Sequence, residues 1–241
     1  IGPYSIIGPN VEIGENSVLH SHVNIVGNTK IGKNNQIYPF SSIGTPPQDL
    51  KYKGEKNSLV IGDNNKFREY VNINPGTKQG GGTTRIGDNN LFMVYCHVAH
   101  DCKIFDNIVL ANNVQVGGHV SIEKNAIVGG SCAIHQFSRI GESAMVGGMT
   151  GVLSDVIPFG LSMGNRNNLM GLNLIGLRRS KVSNENIKKI QLAYETIFKT
   201  ANFRENIEEL NSDLKNNEFI KKILNFIKSD KKRAISLPPN I

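Results

Sequence analysis

Hydrophobic residues recur at every sixth position, and this period restricts the fold of the chain more than any other feature of its sequence. A period of six is neither helical nor strictly alternating. It fits a short strand followed by a turn, three of which close a triangular coil of about 18 residues. Stacked coils bring like anchors above one another, so the repeat predicts a mainly β fold, a parallel β-helix with an apolar core. The anchors are Ile1, Ile7, Ile13, Leu19, Ile25, Ile31, Ile37 and Ile43, then Ile61, Phe67 and Ile73, then Ile86, Phe92, Val98, Ile104, Leu110, Val116, Ile122, Val128, Ile134, Ile140, Val146 and Val152.

A second series of small or β-branched residues lies four positions after the anchors, as at Val23 and Val114. The three cysteines of the chain share this position: Cys96, Cys102 and Cys132. The position predicts that they are buried packing residues without a redox or metal-binding role. Glycine commonly follows the anchor directly, often before Asn, Asp or Glu, and we expect these residues to serve tight turns with unusual φ.

Two stretches depart from the repeat. Residues 46–60 place Asp49 and Glu55 where anchors belong, and residues 79–85 shift the register. Both stretches are expected to leave the prism as external loops, at about 46–60 and 76–85. Loops on a rigid scaffold commonly carry binding residues.

Beyond the repeat, the apolar residues take up helical spacing from Ser183 onwards. The sequence therefore predicts three parts. Residues 1–160 form the β-helix, residues 161–182 a connection, and residues 183–241 a C-terminal α-helical domain.

Charge and composition restrict the partners of the chain. Of the net charge of +7, residues 176–241 contribute most, with 14 Lys and Arg against 8 Asp and Glu. This excess favours either an anionic partner near the C-terminal end or a solvated helical face. Nucleic acid is disfavoured, because the basic residues are not interleaved with stacking aromatic rings. No apolar run approaches the roughly 20 residues that span a bilayer.

Cysteine usage and the first residue give two further expectations. Three cysteines are an odd number, which favours a reducing cytoplasm over a disulfide framework. The chain opens at Ile1 within the repeat, so we expect further residues to precede it in the complete protein.

Four of the six histidines fall between residues 97 and 135, at His97, His100, His119 and His135. His100 and His119 are 19 positions apart, which is about one coil, so they are expected to lie on neighbouring coils and share one surface. Histidine is the natural general base near neutral pH. The adjacent Asp101 is a candidate for orienting or polarising it.

The chain resembles the UDP-N-acetylglucosamine acyltransferases of lipid A synthesis over essentially its whole length. These enzymes belong to the hexapeptide-repeat transferases, whose β-helix is left-handed; the repeat alone does not determine the hand. HVAHDC combined with an upstream QDLKY and a downstream HQF is the most specific part of the match. The matching segments are QDLKYKGE (48–55), QGGGTTRIG (79–87), HVAHDC (97–102), LANNVQVGGHVSI (110–122), AIHQF (133–137), GNRNN (164–168) and GLNLIGLRRS (171–180).

The resemblance implies a reaction and its catalytic residues. His100 matches the general base that deprotonates the glucosamine 3-hydroxyl for direct attack on an acyl thioester, with Asp101 in support. The backbone N–H of Gly118 matches the oxyanion donor. No cofactor or metal is implied, because the donor carries its own phosphopantetheine thioester on acyl carrier protein. The implied partners are acyl carrier protein, UDP-N-acetylglucosamine and two further copies of the chain in a homotrimer.

The resemblance also implies binding residues. Asn173 and Arg179 match groups near the uridine and the phosphates. Gln48 matches a residue near the acyl chain, and Gly148 matches the end of the acyl groove, where a glycine leaves room for a long 3-hydroxyacyl chain. The groups that match sugar-nucleotide contacts are Asp49, Lys51, His97, His119, His135 and Gln136.

Some positions depart from the family's pattern, and they concern nucleotide contacts. Asn74 and Pro75 stand where a His-Arg pair is usual, and Ile175 and Ser180 replace polar or basic residues.

Five alternatives remain open. One is a β-helix zinc enzyme of the carbonic anhydrase type, for which His97, His100 and His119 would have to converge on the metal. The others are a later acyltransferase of the same pathway or one with a 3-amino acceptor, an acetyl-CoA-dependent sugar N-acetyltransferase, and a non-catalytic scaffold.

Overall fold

The computed structural model describes residues 1–230 and 232–240, and its main body is a triangular prism of three parallel sheets. The first face contains β1 (Ile6–Ile7), β4 (Asn24–Ile25), β7 (Ser42–Ile43), β10 (Asn72–Ile73), β13 (His97–Val98), β16 (Gln115–Val116), β19 (Ala133–Ile134) and β22 (Gly151–Val152). The second face contains β2 (Val11–Ile13), β5 (Thr29–Ile31), β8 (Ser58–Ile61), β11 (Thr83–Ile86), β14 (Lys103–Ile104), β17 (Ser121–Ile122) and β20 (Arg139–Ile140). The third face contains β3 (Val18–Leu19), β6 (Gln36–Ile37), β9 (Lys66–Phe67), β12 (Leu91–Phe92), β15 (Val109–Leu110), β18 (Ile127–Val128), β21 (Met145–Val146), β23 (Gly160–Met163) and β24 (Asn168–Leu172).

The anchors from Leu19 onwards stack in the core as the repeat predicts, whereas the predicted anchor Ile1 is 84% exposed. Ile25 pairs with Ile43 in the first face, and Ile73 pairs with Val98 across the shift in register. Ile43, Ile73 and Val98 have no exposed surface. Cys96, Cys102 and Cys132 are free and buried in the same core, which confirms that they are packing residues.

The expectation about glycine was wrong for most glycines that follow an anchor. The positive φ falls two residues later, on non-glycine residues such as Asn16 and Asn34, with φ of 59° and 57°. Asparagine tolerates this left-handed region because its short polar side chain bonds locally. The glycines are needed for space instead: a Cβ on Gly14 would lie 2.5 Å from the carbonyl carbon of Gly32 in the next coil.

Two loops leave the prism at the corner between the first and second faces, which we call the first corner. The first loop covers residues 44–57, between β7 and β8, and the second covers residues 74–82, between β10 and β11. The second loop contains a 3-10 turn at Lys78–Gly80. Both loops end earlier than the sequence predicted, because residues 58–60 and 83–85 already pair within the second face.

The region after the repeat begins with strands rather than an open connection. β23 and β24 form an antiparallel hairpin on the third face. The helices that follow are α1 (Leu174–Arg179), α2 (Asn184–Ile197), α3 (Phe203–Asn206), α4 (Ser212–Asn216) and α5 (Glu218–Ser229), with a 3-10 turn at Ile207–Glu209. Lys231 and Ile241, which fall within the predicted helical domain, lie outside the described residues.

The helices pack around a second apolar core that includes Ile190, Ile197 and Ile223. Side-chain caps begin the two longest helices: Ser183 accepts from the N–H of Asn186, and Asn217 accepts from two N–H groups of α5. Such caps satisfy N–H groups that have no partner within the helix. No helix among the described residues is long and apolar enough to cross a membrane.

A buried ion-pair cluster fixes the C-terminal tail to the last coil. Asp155 has no exposed surface and accepts from the Nε of Arg139 at 2.7 Å and from the Nε of Arg233 at 3.3 Å. Ile235 forms a parallel β-bridge with Asp155. A buried carboxylate needs such partners, because its desolvation is otherwise costly.

Candidate active site

The turns at the first corner stack histidine side chains on consecutive coils. His100 follows β13 and His119 follows β16, and their ring centroids are 5.1 Å apart with the rings at right angles. Phe137 follows β19, and its ring stacks on His119 with centroids 4.3 Å apart. The coil spacing of about 4.8 Å imposes these separations. His100 and His119 therefore lie on one surface, as the sequence predicted.

Asp101 pairs directly with His100. The Nδ1 of His100 lies 2.8 Å from Oδ2 of Asp101, whose side chain is fully buried. A carboxylate can only accept, so Nδ1 carries the proton and Nε2 keeps its lone pair. The arrangement gives His100 the tautomer that a general base requires.

His119 is a neutral neighbour of this pair. Burial lowers the pKa of His119, while the negative charges of Asp101 and Asp49 act in the opposite direction. Its Nε2 lies 3.8 Å from Oδ2 of Asp101, which is beyond hydrogen-bond distance. The ring therefore presents a neutral polar edge near neutral pH.

His97 is held on the first face by a residue that the sequence analysis did not single out. Its Nδ1 lies 2.7 Å from Oδ1 of Asn72, so Nδ1 donates and Nε2 is left as an acceptor. Burial lowers the pKa of His97, and the bond to Asn72 opposes that shift. Asn72 is paired directly with His97 on the neighbouring strand. This pairing between strands is the feature by which Asn72 could have been identified from the sequence.

Gly118 lies against the ring of His100. A Cβ on this residue would lie 2.6 Å from Cε1 and 2.7 Å from Nε2 of His100. Within residues 1–230 and 232–240, the N–H of Gly118 has no hydrogen-bond acceptor. Close approach therefore requires glycine here, and the turn leaves a backbone donor available beside the imidazole.

The residues of the first loop lie near this corner. Asp49 accepts the N–H of Lys51 at 2.9 Å, and its charge acts on the pKa of His119. Gln48 and Lys51 are exposed.

Other predicted residues lie on further coils. His135 and Gln136 are exposed in the turn that follows β19, also at the first corner. Gly148 lies in a turn at the corner between the third and first faces, which we call the third corner. A path from Gly148 to His100 therefore crosses the first face.

Asn74 and Pro75, which stand in place of the family's usual His-Arg pair, lie where the second loop contacts the first loop. Both residues are buried, and Nδ2 of Asn74 donates to the carbonyl of Thr45 at 3.1 Å. The position that is usually His-Arg in the resembled family is therefore a structural contact in this chain.

Asn173 and Arg179 lie elsewhere on the molecule. Asn173 caps α1, and its Nδ2 donates to the carbonyl of Ser143 in the turn between the second and third faces. Together with Met145 and Ile175, both residues line a cavity of about 440 Å³ beside the third face. Within one chain, they are therefore on a different corner from His100.

The histidines do not converge as the zinc alternative requires. Donor atoms of His100, Asp101 and His119 lie within 4.8 Å of one another, but His97 is not a member of this group. Asp101 is already engaged by His100 and by Thr77, whose Oγ1 lies 2.7 Å from Oδ2. Thr77 was also missed by the sequence analysis, because it lies in a loop without periodicity.

Comparison with known proteins identifies the family of the chain. The family model described as UDP N-acetylglucosamine O-acyltransferase, domain 2, matches residues 155–236. Acyl-[acyl-carrier-protein]–UDP-N-acetylglucosamine O-acyltransferases of Aliarcobacter butzleri and Thermodesulfovibrio yellowstonii are each 47% identical. The first match covers 84% of this chain and 78% of the relative, and the second covers 96% and 90%.

A solved structure extends the comparison to the fold. UDP-N-acetylglucosamine O-acyltransferase from Moraxella catarrhalis is 44% identical and superposes with a TM-score of 0.93, covering 98% of this chain and 91% of that one. The superposition gives this chain the left-handed β-helix of these enzymes and confirms the predicted fold class. The chain belongs to the UDP-N-acetylglucosamine O-acyltransferase family and is an acyltransferase.

Proposed function

We propose that the chain transfers a 3-hydroxyacyl group from acyl carrier protein to the 3-hydroxyl of UDP-N-acetylglucosamine, the first step of lipid A biosynthesis. The observation that carries this proposal is the His100–Asp101 pair, which leaves Nε2 of His100 as an acceptor close to the backbone of Gly118. The names of the relatives supply the substrates. Three free, buried cysteines support a cytoplasmic location.

The proposed reaction is direct acyl transfer. Nε2 of His100 takes the proton of the sugar hydroxyl as its oxygen attacks the thioester carbonyl. The carbonyl oxygen becomes an oxyanion, and the N–H of Gly118 donates to it. The tetrahedral species collapses, the C–S bond breaks, and His100 returns the proton to the leaving thiolate. Asp101 stabilises the imidazolium in between, so the enzyme needs neither a cofactor nor a covalent intermediate.

Neutral imidazoles suit the recognition of sugar hydroxyls, because each offers one donor and one acceptor. Burial keeps His97 and His119 in this form by lowering their pKa values. With Asp49, Lys51, His135 and Gln136, we propose that they hold the sugar and its phosphates.

The outer surface of the first face supports a proposed path for the acyl chain. Its ladder runs from His97 through Gln115 and Ala133 to Gly151, so the side chains become small towards the C-terminal end. We propose that the chain crosses this surface towards Gly148, with Gln48 near its start.

The remote position of Asn173 and Arg179 supports a homotrimer. Within one copy, Asn173 and Arg179 lie on a different corner of the prism from His100. We therefore propose that a neighbouring copy supplies these two residues to bind the uridine and the diphosphate. The third corner carries a column of aromatic rings, in which Phe40, Tyr70 and Tyr95 stack with centroids 5.0 and 4.8 Å apart. These rings are about half exposed, an apolar surface of the kind that subunit contacts cover.

The substrate assignment is tested by an acyl-transfer assay. We expect the purified protein to acylate UDP-N-acetylglucosamine with 3-hydroxyacyl groups from acyl carrier protein, and a series of chain lengths to show a long optimum. The 3-amino analogue of the acceptor and acetyl-CoA serve as competing substrates. Preference for either one, measured as kcat/KM, would replace the proposal by the corresponding alternative.

The shared site is tested by mixing inactive variants. His100→Ala and Arg179→Ala are each expected to be poorly active as homotrimers. When the two are co-expressed, random assortment gives about a quarter of the sites both intact residues, so activity should return. If both residues served the site from the same chain, every site would still lack one of them. Recovery no greater than the sum of the two separate variants would therefore contradict the shared site.

A further inference from the structure

The glycine-rich loop, residues 74–82, covers the carboxylate of Asp101. The N–H of Thr77 donates to Oδ1 at 2.9 Å, and its hydroxyl donates to Oδ2 at 2.7 Å. Thr77 and Asp101 are both buried. A Cβ on Gly80 would overlap the same carboxylate, and one on Gly76 would lie 2.7 Å from Oδ1. The loop therefore makes tight, directed contact with a group at the proposed active site.

Two histidines are within reach of one oxygen of Asp101. Nδ1 of His100 is 2.8 Å from Oδ2, and Nε2 of His119 is 3.8 Å from the same atom. Only His100 lies within hydrogen-bond distance of Oδ2, so the carboxylate would have to rotate and bring Oδ2 closer to His119 to exchange the two partners. The two donors of Thr77 hold one oxygen each, and these bonds oppose the rotation.

We propose that Thr77 is a positioning residue that directs Asp101 to His100 instead of His119. The inference deepens the proposed function, because it assigns Thr77 the task of fixing the tautomer of the proposed base. With Asp101 held by Thr77, His100 keeps its proton on Nδ1 and its lone pair on Nε2. Without the hydroxyl, Oδ2 is free to accept from His119, and His100 loses the acceptor that selects its tautomer.

The direct test is the tautomer of His100, read from long-range ¹H–¹⁵N spectra of the histidine-labelled full-length protein. We expect the Nδ1–H form of His100 to dominate in the wild type and in Thr77→Ser, which keeps the hydroxyl. Thr77→Val should raise the Nε2–H fraction of His100 and shift the signals of His119. Gly80→Ala displaces the carboxylate by a different route and should give the same change.

Thr84→Val is the matched control. Its hydroxyl also contacts Asp101, but it accepts the backbone N–H at 2.8 Å and leaves the carboxylate alone. This variant loses a buried hydrogen bond of similar length, so it reports the effect on thermal unfolding without the effect on the tautomer. We expect its His100 signals to match the wild type.

Kinetics add a second readout. Thr77→Val should lower kcat by about tenfold, as loss of an orienting partner commonly does, with the KM for UDP-N-acetylglucosamine nearly unchanged, and Thr77→Ser should restore kcat. Unchanged His100 tautomers in both Thr77→Val and Gly80→Ala would overturn the proposal. A shifted tautomer with an unchanged kcat would support the positioning role of Thr77, and the assignment of His100 as base would then fail.

Discussion

Replacement of His100 by alanine is expected to lower kcat by about 10²- to 10⁴-fold, the range that a positioned general base contributes. Among the described residues, His100 is the only histidine whose Nδ1 lies within hydrogen-bond distance of a buried carboxylate, and this pairing leaves its Nε2 as an acceptor. Its loss leaves the sugar hydroxyl protonated during attack. Steady-state assays of acyl transfer measure the effect, and the KM for the nucleotide should change much less than kcat.

His20→Ala is a suitable control for this variant. His20 lies in a turn of the same prism, where its ring contacts Tyr38 with centroids 4.4 Å apart. It is a histidine in the same kind of scaffold but takes no part in the proposed chemistry, so activity should remain close to wild type. An alanine variant of His100 with kcat within a few-fold of wild type would show that another group is the base.

Replacement of Gly118 by alanine is expected to lower kcat by about 10²-fold, because a displacement of about 1 Å can have that effect on a reacting group. The added Cβ would lie 2.6 and 2.7 Å from two atoms of the His100 ring, so the ring must move. The backbone N–H remains, which separates this steric effect from loss of the oxyanion donor. Acyl-transfer kinetics and the thermal unfolding midpoint should be measured together.

Gly8→Ala provides the matched control for Gly118→Ala. Gly8 follows β1 at the first corner, far along the prism, and its nearest Cβ contact would be 3.2 Å from Cα of Val26. It adds the same methyl group to the same corner without touching a histidine. Gly118→Ala would contradict the arrangement of the site if it retained wild-type kcat while remaining folded.

The fold was readable from the sequence because one spacing determines the coil. Anchors such as Ile73 and Val98 align even though a loop shifts their numbering, since burial decides which residue faces the core. The hairpin of β23 and β24 was missed, because it follows the last hexad and shows no period. The role of glycine was misread, because the approach of neighbouring coils cannot be seen in a single repeat.

The site was only partly predictable. The separation of His100 and His119 by about one coil was sufficient to place them together. Thr77 could not be found in this way, because its contact with Asp101 depends on how an irregular loop folds back over the corner. The position of Arg179 on a different corner from His100 could not be predicted either. A resemblance assigns a role to a residue, but it does not say which copy of the chain performs that role.

The C-terminal cap has a consequence for assembly. The last coil of a parallel β-helix ends in strands whose backbone groups face outward along the axis, and such an edge is a template for further strands. Here the antiparallel hairpin of β23 and β24 turns one face away from the parallel pattern, and the bridge between Asp155 and Ile235 occupies another position. The cap thus leaves fewer free strand edges at this end of the stack with which a further coil could pair.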